Sequence, residues 1–317
     1  MTLLLLLSAC DPGTPVQVPH GTVESDPEII PAACTTDTVE ARYDLREGRI
    51  LGVALSSGKS WWAPDAQDET LVTRLTNYGT ATIEGDWTNC GYPTYEVTDE
   101  AGSVVARGSN DDGMDCDDIG HLTLAPGEAR EDSLAAPPLP AGSYTLGVSA
   151  EVGVLVDGSA SALSYNAAQP VQVGGEGCAA KEGSGRWPAG LDLTLSSARG
   201  VVVPSDDALT LAGAGFNSAQ DIPGDWLECN YPRLFLFDPA ATEVWSHSEA
   251  DGIPCDPVTS WAGNETFASD ATIGASVFAE PGVWKTGVRF SRDPGDPSGL
   301  EVFELLLDET VAADDDE

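Results

Sequence analysis

The motif Gly-Asp-Trp-x-x-Cys-x-Tyr-Pro occurs twice in this chain, as GDWTNCGYP at 85–93 and as GDWLECNYP at 224–232. The copies lie 139 residues apart, and the match runs beyond the motif. Trp87, Cys90, Tyr92, Cys116 and Asp117 have partners at that offset in Trp226, Cys229, Tyr231, Cys255 and Asp256, and the Asp-Gly at 112–113 recurs at 251–252. Upstream, LSS at 55–57 returns at 195–197. Downstream, GSYTLGV at 142–148 returns as GVWKTGV at 282–288, so each flank needs only a one-residue gap. Cys34 and Cys178 each stand just before a copy begins. This many ordered matches marks an internal duplication. Whatever the chain folds into, it builds it twice.

Each copy reads as strands. In YTLGVSA, Tyr144, Leu146 and Val148 alternate with small or polar residues, the period of a half-buried strand. YEVTDEAGSVVARG is an apolar run, an acidic-Gly turn and a second apolar run, which predicts a hairpin. Its counterpart LFLFDPAATEVWSH keeps that form with Asp238-Pro239 at the turn. Further hairpins are expected at about 144–173 and 284–311, and no segment shows a 3.6-residue period. With 34 Gly and 22 Pro punctuating short apolar runs, the chain reads as all-β. The expectation is two tandem immunoglobulin-like β-sandwich domains, at 34–175 and 178–311, followed by an acidic tail at 312–317.

The first copy also resembles a known family. LTNYGTATIE, YPTYEVTDEAGSVVARGS, LTLAPGEAREDSL and LPAGSYTLGVSAE look like the Asn-containing early strand, DxxGxxV hairpin, LxPGE turn and PxGxYxV strand of the Bacillus-type intracellular proteinase inhibitor (BsuPI) domain. The resemblance covers roughly residues 70–150, and the second copy keeps its outline. It implies a sandwich scaffold and, as one reading of function, protease inhibition in the cell envelope.

The N-terminus, MTLLLLLSACDPG, carries an apolar run at Leu3–Leu7 far too short to span a bilayer as a helix. It ends in Leu7-Ser8-Ala9-Cys10, which resembles a bacterial lipobox, so residues 1–9 read as a lipoprotein signal peptide and Cys10 as the acylated residue. Residues 10–33 are Pro-rich without periodicity and read as a tether. The expected location is the bacterial cell envelope, lipid-anchored, periplasmic or surface-exposed. With 52 acidic against 14 basic residues the net charge is −38, which repels phosphate backbones and anionic headgroups. Nucleic acid is excluded as a partner. The membrane (through the lipid anchor), envelope proteins and glycans remain.

Six cysteines are left besides Cys10, an even number in an exported chain, which points to disulfides. Cys90 precedes the first hairpin and Cys116 follows it, as Cys229 and Cys255 flank the second. A Cys90–Cys116 bridge and a Cys229–Cys255 bridge would clamp these hairpins, and Cys34 would pair with Cys178 by exclusion. No CxxC-type pair exists for structural zinc. The opening motif then has a structural reading: Gly-Asp turns the chain, Trp87 and Trp226 enter the core, and Cys90 and Cys229 staple the hairpins.

Catalytic patterns are not found in the sequence. SSGK at 56–59 has the S-x-x-K spacing but ends a strand, and the second copy has SSAR. GKS at 58–60 lacks the first Gly of a phosphate loop. The three histidines (His20, His121 and His247) are not duplicated, and no nucleophile–base arrangement is evident. An enzyme is not expected. NDDGMDCDD at 110–118 offers a candidate calcium site at Asp111, Asp112, Asp115 and Asp117, outside the EF-hand register. Otherwise no cofactor is expected. Trp61 and Trp62 are adjacent, so on a strand one of them faces outward, either to a glycan or protein or into the interdomain contact. A non-catalytic binding or scaffolding module is the first reading of function, with an envelope protease inhibitor and a calcium-dependent or glycan-binding adhesion module beside it.

Non-reducing peptide mapping of exported protein is expected to recover Cys90–Cys116 and Cys229–Cys255 peptides. Replacing one pair by Ala should cost about 2–4 kcal/mol of stability. Recovery of a Cys90–Cys229 peptide would show that the duplicated motif has another purpose.

Overall fold

The structure, a computed structural model, describes residues 38–57, 61–65, 69–87, 91–110, 122–156, 159–174, 181–187, 190–197, 201–202, 208–218, 220–226, 231–254, 258–293 and 301–311. Among them the chain is all-β, with one short 3-10 turn at Ala275–Val277. The first half contributes β1 (Thr38–Asp44), β2 (Ile50–Ser56), β3 (Trp61–Trp62), β4 (Thr70–Asn77), β5 (Ile83–Trp87) and β6 (Thr94–Asp99). It continues with β7 (Val104–Gly108), β8 (Leu122–Leu124), β9 (Ala129–Ala135), β10 (Gly142–Val156) and β11 (Ser159–Val173). The second half contributes β12 (Lys181–Trp187), β13 (Leu191–Ser197), β14 (Val201–Val202), β15 (Leu209–Asn217), β16 (Ile222–Trp226) and β17 (Arg233–Phe237). It ends with β18 (Glu243–His247), β19 (Val258–Trp261), β20 (Thr266–Ile273), β21 (Gly282–Asp293) and β22 (Glu301–Val311).

The strands form two 11-stranded sheets whose inner faces meet in one core. The first sheet runs β18-β17-β21-β22-β1-β2-β4-β9 and the second β20-β15-β13-β12-β11-β10-β5-β8, with the remaining strands branching from these paths. The pairing order of one half recurs in the other: β1-β2-β4-β9 in the first sheet is matched by β12-β13-β15-β20 in the second. The expectation that each half would keep its own sheets and core is not met. β1 pairs with β22 through five residue pairs, from Val39↔Leu307 to Tyr43↔Phe303, and β11 pairs with β12 at Asn166–Ala168. Each sheet therefore holds strands of both halves. The physical reason is the edge of a half-sandwich, a row of unpaired backbone N–H and C=O groups that costs least when another strand covers it.

The expected local features are in place. β6 and β7 form the first hairpin, where Asp99 Oδ1 accepts the N–H groups of Ala101 (3.0 Å) and Ser103 (2.8 Å). β17 and β18 form the second, where Asp238 Oδ1 accepts the Thr242 N–H at 2.8 Å. Trp87 and Trp226 are buried, and their indole N–H groups donate to the carbonyls of Leu122 (3.1 Å) and Ile222 (3.2 Å). Asn77 and Asn217 end β4 and β15, fully buried. Each gives its amide protons to backbone carbonyls: Ala81 and Leu124 (both 2.9 Å) for Asn77, Gln220 (3.0 Å) and Trp261 (2.9 Å) for Asn217. A buried amide that satisfies two carbonyls closes a loop no ladder reaches.

Core volume is traded between the sheets. Where the first half places Leu75 and Ala150, the second has Gly215 and Phe290 at the matching positions. A Cβ on Gly215 would come within 2.5 Å of the Phe290 ring and 2.6 Å of Trp261. The bare strand makes room for the aromatic opposite, so one half cannot borrow a single residue of this set from the other.

At the seam between the halves lies a group of four aromatic rings. Tyr43 stacks on its cross-strand partner Phe303 (4.9 Å between centroids, 16° between planes) and meets Tyr165 of the facing sheet edge-on at 4.8 Å. Trp187 closes the group, 5.9 Å from Tyr43 and 5.8 Å from Phe303. The Tyr43 hydroxyl crosses to the second sheet, where it donates to the carbonyls of Asn166 (2.6 Å) and Arg186 (3.1 Å) and accepts the Asn166 N–H at 3.0 Å. Asn166 and Arg186 are themselves paired across β11 and β12. One phenol from the first sheet thus fastens the second sheet's seam. Burial pushes this phenol well above its ordinary range, and hydrogen bonding with the backbones of Asn166 and Arg186 only partly offsets it.

Tyr43→Phe keeps the ring and removes the bridge, and should lower stability by about 1–3 kcal/mol in denaturant unfolding at neutral pH. Because the folded-state phenol is raised, its contribution is complete below the ordinary phenol value of about 10 and is lost above it. The gap between wild type and Tyr43→Phe should therefore narrow as pH rises beyond about 10.

Candidate functional site at the seam

The two seams between the halves are not equal. On the first sheet the β1–β22 ladder spans five residue pairs. On the second the β11–β12 ladder has three and ends at Ala168↔Ser184. Two residues further along β11 stands Pro170, which has no N–H to give to a ladder, and the next residue of β12 is Gly183, a weak strand former. Beyond this point lies a cavity of about 360 Å³.

Residues of both faces line this opening. Thr145, Pro170, Glu182, Ser184, Thr194 and Ser196 stand on the outer face of the second sheet and form the rim. Gln169, Gly183 and Leu195 are buried and alternate with them, so they form the floor. The opening is therefore a slit that cuts into the sheet. At Gly183 a Cβ would come within 2.7 Å of Leu307 and 2.9 Å of Val39 in the facing sheet, which fixes this floor position as glycine.

The slit is polar. Four hydroxyls and the Glu182 carboxylate line the rim, and no Lys or Arg is among the lining residues. Of the two cations on β12, Arg186 is held by both oxygens of Asp192, and that hydrogen bonding keeps its guanidinium above its ordinary value. On the floor, Gln169 is 3% exposed and its Nε2 donates to Ser57 Oγ at 2.8 Å, while its Oε1 accepts no hydrogen bond among the described residues. A buried amide oxygen without a donor costs roughly 1–3 kcal/mol.

Next to the slit, Lys181 is buried between the sheets. Its ammonium donates to the Asp308 carbonyl and lies 3.8 Å from the Glu309 carboxylate, whose other oxygen accepts the Thr286 hydroxyl at 3.4 Å. Lys285 and Asp308 pair on the outer side of the same strand at 2.7 Å.

The residues singled out by sequence are not brought together here. Cys10, Cys34, Cys90, Cys116, Cys178, Cys229 and Cys255 lie outside the described residues, as do Asp111, Asp112, Asp115 and Asp117. Trp62 is 2% exposed and belongs to the core, so it forms no binding surface. The side chain of Trp61 lies outside what the structure describes. Among the described residues no three His, Cys, Asp or Glu side chains gather as metal ligands, and no helix is long and apolar enough to cross a membrane. The slit residues were missed by sequence reasoning, although Pro170 inside an alternating strand and Gly183 near the start of the next marked the spot.

No family model matches the chain, and no curated protein does. Among solved structures it is similar to the C-terminal domain of Wzt, at 9% identity and a TM-score of 0.26, over 44% of this chain and 72% of that one. Red sea bream transglutaminase matches at 9% identity and 0.26, over 83% of this chain and 31% of that one. A structure named pT26-6p matches at 8% identity and 0.23, over 88% and 66% respectively. Likenesses this distant carry no argument about function.

Removing one member of the buried pair should be costly and removing both should not. Lys181→Met leaves the Glu309 carboxylate buried without its cation and should cost about 3–5 kcal/mol in urea unfolding, whereas Lys181→Met with Glu309→Leu should recover most of that loss.

Proposed function

We propose that this chain is a non-catalytic, lipid-anchored module of the bacterial cell envelope that binds its ligand at the slit between its halves. In this reading the halves are two immunoglobulin-like sandwiches that arose by internal duplication, on the scaffold that the first copy's likeness to the BsuPI domain suggests. The observation that carries the binding role is the slit itself: a concave polar opening where the ladder between β11 and β12 stops. Its walls are ladder-bonded strands, so the site is held in shape before any ligand arrives, which lowers the ordering cost of binding. The anchoring role rests on Leu7-Ser8-Ala9-Cys10 and the Pro-rich stretch after it, which would hold the folded part off the membrane.

Labelling with radioactive palmitate tests the anchor. The chain should incorporate label and follow the membrane fraction, and Cys10→Ser should do neither. Equal labelling of Cys10→Ser would overturn the anchor.

A further inference from the structure

We propose that the second half carries a covalent cross-link between its first and last strands, an amide formed within the chain between Lys181 Nζ and Glu309 Cδ. The chain has three lysines, and one of them, Lys181, is 7% exposed. Its ammonium lies 3.8 Å from a carboxylate that is fully buried. The fold does not call for charge at this place. In cross-strand register, Trp284↔Glu309 and Thr286↔Leu307 of β21 and β22 match Tyr144↔Val171 and Leu146↔Gln169 of β10 and β11. Where the second half has Thr286 and Glu309, the first therefore packs Leu146 and Val171, both fully buried. As an ion pair, Lys181 and Glu309 gain little over such apolar residues, because both charges have left water. As an amide they carry no charge.

The surroundings fit the product. The Asp308 carbonyl already accepts an N–H from Lys181, and the Thr286 hydroxyl stands 3.4 Å from Glu309 Oε1. An acceptor for the amide N–H and a donor for the amide carbonyl are thus both in place. The reaction needs no co-reactant. One proton passes from the Lys181 ammonium to Glu309 Oε2, and the lone pair of the amine then forms the bond to Cδ. Thr286 meets the negative charge that this puts on Oε1. A second proton goes from the nitrogen to Oε2, the Cδ–Oε2 bond breaks and one water leaves. Ammonium and carboxylate have become amide and water. Packed strands hold the two groups at a separation close to the roughly 3–3.5 Å of a reacting pair, which replaces the entropy cost of an encounter. Exclusion of water from the core disfavours the reverse hydrolysis. Lys285 and Asp308 pair at 2.7 Å, but the Lys285 side chain is 35% exposed, so water keeps that pair ionic. Chain that has not yet reacted holds the Lys181–Glu309 ion pair, and the urea comparison of its variants refers to that state.

Tryptic mapping of the full chain, reduced and denatured after folding, tests the bond. Trypsin does not cut after an acylated lysine, so residues 131–186 should stay one peptide. That peptide should be joined to residues 293–317, with a mass one water below the sum of the two. Lys181→Arg keeps the cation without the amine and should release 293–317 as a separate peptide. Thr286→Val keeps the shape and should form the branched peptide at least about tenfold more slowly after synthesis. An equal rate would overturn the part given to Thr286. If Lys181→Arg does not fold, the wild-type map alone decides. Cleavage after Lys181 together with a free 293–317 peptide in the folded wild type would overturn the proposal. So would a loss of water that persists in Lys181→Arg, the result that cyclisation at Asp251-Gly252 would give.

Discussion

The hydroxyl of Tyr43 is where the two halves of this protein become one body. It leaves the first sheet, passes between three other aromatic rings and is held by the backbones of Asn166 and Arg186 on both sides of the second sheet's seam. Both sheets are thereby locked to each other at the line where the halves join. Well-placed aromatic contacts contribute about 0.5–1.5 kcal/mol each beyond the area they bury. The hydrogen bonds fix geometry as well, because a phenol in a dry core has few alternative partners and a high cost for losing those it has.

That lock also explains why the slit can exist. Three residue pairs are a short ladder for two strands in the middle of an 11-stranded sheet, yet β11 and β12 do not separate further, because Tyr43 clamps them at Asn166 and Arg186. On the opposite sheet the matching seam needs no such clamp, since its five pairs run without a proline. A duplicated fold has thus become unequal at one place. Pro170 and Gly183 are the residues responsible, one by withholding a donor and the other by omitting a side chain that Leu307 and Val39 leave no room for. Within a symmetric architecture, the site that differs is the one free to acquire a role of its own.

Much of the fold was legible in the sequence because its determinants are local. Period-two alternation in 144–150, the acidic turns at Asp99 and Asp238, and the paired Trp87 and Trp226 all act within a few residues or within one half. The merging of the halves was not legible. Val39 meets Leu307 and Tyr43 meets Phe303, contacts between opposite ends of the chain that leave no trace in either segment's pattern. Strands of alternating character pair equally well within a half or across halves, so periodicity does not choose the partner. The exchange of Leu75 and Ala150 for Gly215 and Phe290 had a related effect, since volume moved between facing sheets and the second copy lost its likeness to the first while keeping its packing. Which of Trp61 and Trp62 enters the core was not legible for a simpler reason: two adjacent tryptophans require one to face outward, and alternation alone does not say that Trp62 is the buried one.

Joining the halves edge to edge also settles a problem that any half would face alone. β1, β11, β12 and β22 would each be a free edge, offering backbone groups to another copy of the chain. In the joined body they are internal, and the edges that remain are differently equipped. β9 carries Arg130, Glu131 and Asp132 in succession, β18 begins with Glu243 and ends with His247, and β20 carries Asp270. β7 is the weakest of them, with Val104 and Val105 both about half exposed, and its Arg107 is tied to Glu96. A net charge of −38 then acts over the whole surface, because two copies approaching edge to edge meet the same sign. Strand pairing inside the molecule and repulsion outside it are two parts of one solution, and the slit is a place where that pairing stops short.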